Sequence, residues 1–181
     1  MPWWDRRQRM KLTTKQLTLC AVLTALALAL SYLENLFPLA LAIPIPGVKL
    51  GLANIVTVFA LYTLGPSQAL MILTARCLLG AMFAGNVNAL LFSLLGGFAA
   101  MLAMIVLVRL GKFSVYGVSV GGAAAHNCGQ MAAAVLTLGN TAPLFYLPIL
   151  LAVSLITGTL TGLVAGCLFQ GLEHTNLRNL I

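Results

Sequence analysis

An all-α bundle of about six membrane-spanning helices is the fold class this sequence predicts, and three observations carry the prediction. Hydrophobic residues make up 61% of the 181 positions and charged residues only 7%, whereas a soluble domain needs about 25% charged residues. The apolar residues fall into runs that approach the roughly 20 residues a spanning helix requires. Between the runs stand Gly, Pro and Asn clusters of the kind that interrupt helices.

The first apolar stretch, Leu17 to Leu33, follows a segment bearing Trp3, Trp4, Arg6, Arg7, Arg9, Lys11 and Lys15. Indole rings beside basic residues suit a headgroup-level anchor, and the cluster reads as topology and surface anchoring rather than nucleic-acid binding. This divides the chain into an anchor segment at 1–16, one transmembrane domain at 17–170 and a tail at 171–181. The basic start and the run to Ala29 also mimic a signal peptide. Cleavage there would leave an odd number of spans, so the stretch is read as a permanent helix. Ala21, Ala25 and Ala29 recur every four residues, a spacing that lets another helix backbone approach. Internal packing and docking of a separate membrane subunit both account for it.

A loop rich in proline and apolar residues comes next, from Glu34 and Asn35 through Pro38, Pro44, Pro46 and Gly47 to Lys49. Such a stiff, apolar segment is expected to fold back over the outer side of the bundle as a lid. The second and third stretches, Leu50 to Leu64 and Gln68 to Phe83, are short and separated by Gly65 and Pro66. They are expected to be tilted, partly unwound or shielded by neighbours. Gly85 and Asn86 precede the fourth stretch, Ala89 to Val108, which Arg109, Gly111 and Lys112 close. The fifth runs from Val115 to Leu138 and the sixth from Leu144 to Phe169, with Gly139, Asn140 and Pro143 between them.

Six spans put both termini on one side. The N-terminal basic cluster, Arg109, Lys112 and Arg178 share that side, and Lys49 lies in a loop on the other, so the positive-inside rule makes the termini cytoplasmic. Cys20, Cys77, Cys128 and Cys167 stand singly in apolar runs, without the spacing of a zinc or redox motif.

With three acidic residues against ten Lys and Arg, each ionisable group in an apolar run becomes a candidate functional group. Arg76 lies near the middle of the third stretch, and Glu34 is the acidic residue expected on the outer half to neutralise it. Arg76 either pairs with Glu34, caps helix carbonyls, or, with Lys49, meets an anionic group of a ligand entering from outside. Lys49 and Arg76 against Glu34 leave one positive charge, which favours an anion. In the fifth stretch His126, Asn127 and Gln130 are spaced to form a polar strip that should face the bundle interior. Asn54, Asn86 and Asn88 add amides at the outer ends of neighbouring stretches. This set reads either as interhelical glue or as a ligand pocket. No metal site or cofactor is expected, since His174 is distant and no acidic ligand stands near His126.

The run Pro46-Gly47-Val48-Lys49-Leu50-Gly51-Leu52-Ala53-Asn54 resembles a known family. So do Phe92-Ser93-Leu94-Leu95-Gly96-Gly97 and Gly117-Val118-Ser119-Val120 leading to Ala125-His126-Asn127-Cys128-Gly129-Gln130. Together they resemble the bacterial Gx transporter family, also labelled heptaprenyl diphosphate synthase component I, and that family is similar to the S components of energy-coupling factor (ECF) transporters. The resemblance spans nearly all of Lys11 to Gln170. It implies an S-component-like six-helix protein of the bacterial inner membrane that captures a small solute from outside. It also implies that Ala21, Ala25 and Ala29 dock a transmembrane coupling subunit driven by ATPases. Ligand contacts would come from the Glu34 to Asn54 region and from His126, Asn127 and Gln130.

The two family labels imply different functions, and chemistry separates them. Prenyl elongation needs paired aspartate-rich motifs to hold magnesium, and the one aspartate here is Asp5. Neither a catalytic triad nor paired carboxylates appear in the sequence, so an enzyme is not expected. A non-catalytic membrane component linked to heptaprenyl diphosphate or quinone-precursor metabolism remains an alternative. Without a GxxxxGK[ST] run, ATP could drive transport only through a separate subunit. A small homodimeric secondary carrier is the other alternative, although no internal repeat stands out. The expected function is therefore a membrane binding subunit for a small, anionic or amphipathic solute.

Overall fold

A computed structural model describes residues 14–36 and 51–174. Six α-helices lie within these residues: α1 Thr14–Leu36, α2 Asn54–Thr63, α3 Pro66–Ala84, α4 Val87–Leu110, α5 Val115–Leu138 and α6 Leu147–His174. No strand occurs among the described residues. Residues 1–13 of the anchor segment, with Trp3 and Trp4, residues 37–50 of the expected lid, with Lys49, and Arg178 in the tail lie outside the described residues. So do the side chains of Asn35 and His174.

Each boundary has a local cause. Pro66 opens α3, where its missing N–H costs nothing. The Asn86 side chain caps α4 by accepting from the Asn88 N–H at 2.9 Å, and Ser114 caps α5 by accepting from the Gly117 N–H at 3.3 Å. The sixth stretch differs from the reading Leu144 to Phe169. Ala142–Tyr146 form a separate 3-10 turn, and the α-helix starts only at Leu147. Pro143 near the start of that turn supplies no backbone donor, which favours a tight turn before the helix proper.

Among the described residues four helices are long and apolar enough to cross a membrane: α1, α3, α4 and α6 together with its preceding turn. At 24 residues α5 is also long enough, but its Gly, Ser, His, Asn and Gln residues dilute its apolar character. With only ten residues, α2 is about 15 Å long, half of the roughly 30 Å hydrocarbon thickness.

Helix α5 packs most extensively against α4 and α6, α3 packs on α4, and α2 sits between α3 and α6. Helix α1 lies at the side, against α3 and α2. The core is filled by Leu61, Ile72, Leu73, Met101, Met104 and Met131. Outward positions are apolar as well: Val22, Leu102, Leu155, Ile156 and Leu160 are each about half exposed or more. Buried polar groups inside an apolar exterior are the arrangement that a lipid solvent selects.

Glycines set the closeness of the α4–α5–α6 contacts. A Cβ at Gly129 would run into the Leu95 carbonyl oxygen and lie 2.8 Å from Gly96 Cα, and one at Gly158 would stand 2.5 Å from Val120 Cα. In both places backbone meets backbone, as small residues permit in membrane helices.

Candidate functional site

Five segments converge on one small polar cleft. Ser31 and Glu34 come from α1, Gly51, Ala53 and Asn54 from the start of α2, Arg76 from α3, Ser93 from α4, and His126 and Gln130 from α5. These contributions come from the C-terminal end of α1, the start of α2, the middle of α3, the N-terminal third of α4 and, from its middle onward, α5, with the α1, α2 and α4 contributions toward the same end of the bundle. The cavity they enclose is about 20 Å3, room for about one water.

Two polar links span the cleft wall. The Glu34 carboxylate accepts a short hydrogen bond from the Gly51 N–H, a backbone group freed at the entrance to α2, where Gly51 adopts φ 87°. A side chain at that φ would be strained, and its Cβ would stand 3.0 Å from the Asn54 amide nitrogen. Asn54, the first residue of α2, accepts from Arg76 Nη2 at 3.3 Å. Glu34 and Arg76 both line the cleft, so the carboxylate and the guanidinium share this site. Beside them the Cys77 thiol donates to the Ser93 carbonyl at 3.5 Å, tying α3 to α4.

The polar demand of the cleft is only partly met. Arg76 Nε and Gln130 Oε1 are buried without a hydrogen-bond partner among the described residues. Gln130 is 1% exposed and Arg76 9%. An unmet donor and an unmet acceptor each cost about 1–3 kcal/mol in such surroundings. Gly96 makes room for the α5 side chains here, since a Cβ on it would lie 2.9 Å from His126 Cε1 and 3.0 Å from Gln130 Cγ.

Of the residues singled out in the sequence, Glu34, Asn54, Arg76, His126 and Gln130 are therefore brought together. Asn127 is not: its amide donates to the Leu150 carbonyl at 2.7 Å and joins α5 to α6. Asn86 and Asn88 are exposed at the α3–α4 turn, where Asn86 serves as a helix cap. Lys49 and the Asn35 side chain lie outside the described residues. Ser31 and Ser93 were missed. Ser31 sits three residues before Glu34 on the same helix face, and Ser93 lies inside one of the quoted motifs, so spacing from an already suspected residue was the available signal. Ala21, Ala25 and Ala29 lie on the exposed face of α1, and the internal face is made instead by Cys20, Leu23, Thr24 and Ala27.

Chemically the cleft offers hydrogen bonds of both senses around one opposite-charge pair. Among the described residues no three His, Cys, Asp or Glu side chains gather as a metal site would require. No curated protein and no solved structure matches the chain. A family model does match, over residues 23–168, from within α1 to near the end of α6 and across every segment that lines the cleft, and the chain belongs to the family described as heptaprenyl diphosphate synthase component I.

Proposed function

We propose that this protein is a membrane binding subunit that captures a small polar or amphipathic solute in the Glu34–Arg76–Gln130 cleft and passes it on with an ATPase-driven coupling partner. The observation that carries the reading is the convergence of polar side chains from four helices and the Gly51–Asn54 segment on one cleft, where Arg76 Nε and Gln130 Oε1 are buried without a hydrogen-bond partner among the described residues. Packing alone would favour apolar residues there, because unmet polar groups destabilise the bundle. The role is non-catalytic in this reading, since one carboxylate and one arginine supply neither a metal cage nor a matched acid–base pair. In this reading the protein sits in a bacterial cytoplasmic membrane with both termini inside and the cleft opening outward. The exposed alanine face of α1 receives the coupling subunit.

Native mass spectrometry of the purified protein tests the binding role. A co-purifying small molecule present in the wild type and lost in Arg76→Gln supports it, and its retention in that variant removes Arg76 from the role. Ala25→Leu should abolish co-purification of a coupling subunit, and unchanged recovery would sink that interface. For the topology, Asn86→Cys should react with a membrane-impermeant maleimide on intact cells. The family description favours a second reading, a non-catalytic membrane component that works with a heptaprenyl diphosphate synthase. Recovery of a prenyl synthase in place of transporter ATPases would select it.

A further inference from the structure

We propose that the cleft takes a net-neutral group carrying a carbonyl beside an N–H, the edge of a carboxamide, lactam or ureide, with the carbonyl accepting from Arg76 and the N–H donating to Gln130. This rests on the solute-binding reading above and narrows its ligand class.

The first argument is charge. The described lining contains one carboxylate, Glu34, and one guanidinium, Arg76, whose formal charges offset one another. Glu34 and Arg76 line the same cleft, so the guanidinium is not the sole charge that a solute meets there. A solute bearing a net charge would bring an uncompensated ion into a low-dielectric interior, where burying it is heavily penalised. A neutral solute avoids that penalty.

The second argument is hydrogen-bond sense. The buried atoms without a hydrogen-bond partner among the described residues include one cleft donor, Arg76 Nε, and one cleft acceptor, Gln130 Oε1. A carboxylate offers acceptors only and would leave the Gln130 oxygen unmet; an alcohol offers both senses, but from a single oxygen. An amide edge presents an acceptor and a donor on adjacent atoms, and Arg76 and Gln130 line the same cleft. Sites that hydrogen-bond a ligand group discriminate against analogues lacking it, because the buried partners are then left unpaired.

Saturation-transfer NMR on the full-length protein in nanodiscs tests this with acetamide, acetate and N,N-dimethylacetamide at equal concentration. The expected result is a signal for acetamide about fivefold above both others, the worth of one hydrogen bond in this range. In Gln130→Met that advantage disappears. The wild-type comparison of the three probes stands even where the variant does not fold. Acetate equal to or above acetamide overturns the neutral assignment and leaves the solute-binding reading in place. Equal signals for acetamide and dimethylacetamide overturn the role of Gln130 as acceptor. No signal from any probe overturns the amide proposal, and the solute-binding reading is then judged on its own by the co-purifying ligand.

Discussion

The two sides of this bundle are held together differently. Across α4, α5 and α6, backbone lies on backbone at Gly129 and Gly158, with the Asn127 amide bonded to the Leu150 carbonyl. On the α1–α3 side the nearest glycine, Gly80, meets only the end of the Leu28 side chain, at an ordinary 3.6 Å. Much of α1 faces outward, and its link to the start of α2 is the Glu34 to Gly51 hydrogen bond. The lesson is a division of labour: α4–α5–α6 forms a stiff wall carrying His126 and Gln130, and α1, α2 and Arg76 complete the cleft through adaptable side chains. A cavity of about one water admits a solute only by widening, and the side-chain-packed flank is where widening meets least resistance.

Substitutions can break that contrast in a definite order. Gly129→Val should have the largest effect, destabilising by on the order of 3 kcal/mol because backbone rather than a rotatable side chain must retreat. Thermal unfolding in detergent measures it, and a loss under about 1 kcal/mol would contradict the close α4–α5 contact. Gly158→Ala should follow with about 2 kcal/mol, by the same assay on the α5–α6 side. Asn127→Leu should cost about 1 kcal/mol, the size of a buried interhelical hydrogen bond, and leave solute binding intact. Gly96→Ala sharpens the comparison from the cleft side. It should lower stability by less than about 1 kcal/mol, since His126 and Gln130 can shift, yet weaken acetamide saturation transfer. Smallest of all, Gly80→Ala should be neutral or stabilise by roughly 0.5 kcal/mol through helix propensity, because Leu28 already leaves space.

The sequence made the cleft partly legible. Arg76, Glu34, His126 and Gln130 stand out because polar groups in apolar runs are costly, and that cost is the same physics that gathers them. Asn127 looked equivalent to Gln130 because three residues apart is near the same helix face. The residual rotation of about 60° is enough to turn it toward α6. Asn86 and Asn88 looked like outer polar ligands, but an Asn just before a helix serves equally as a cap, and composition cannot separate the two roles. Helix positions were read well where Gly and Pro punctuate them, as at Gly65-Pro66. The shortness of α2 was read only in part. Its start depends on the positive φ at Gly51 and on the Glu34 and Arg76 contacts, which are tertiary facts.

That short helix has an electrical consequence. The hydrogen bond from Arg76 to Asn54, the first residue of α2, sets the mouth of α2 inside the bundle, below the end where Glu34 meets Gly51. A singly charged solute drawn to that level would traverse a fraction of the transmembrane potential, of which the whole is worth about 2.3 kcal/mol per 100 mV. A neutral amide would traverse it without electrical work, so its capture would proceed equally in energised and depolarised cells.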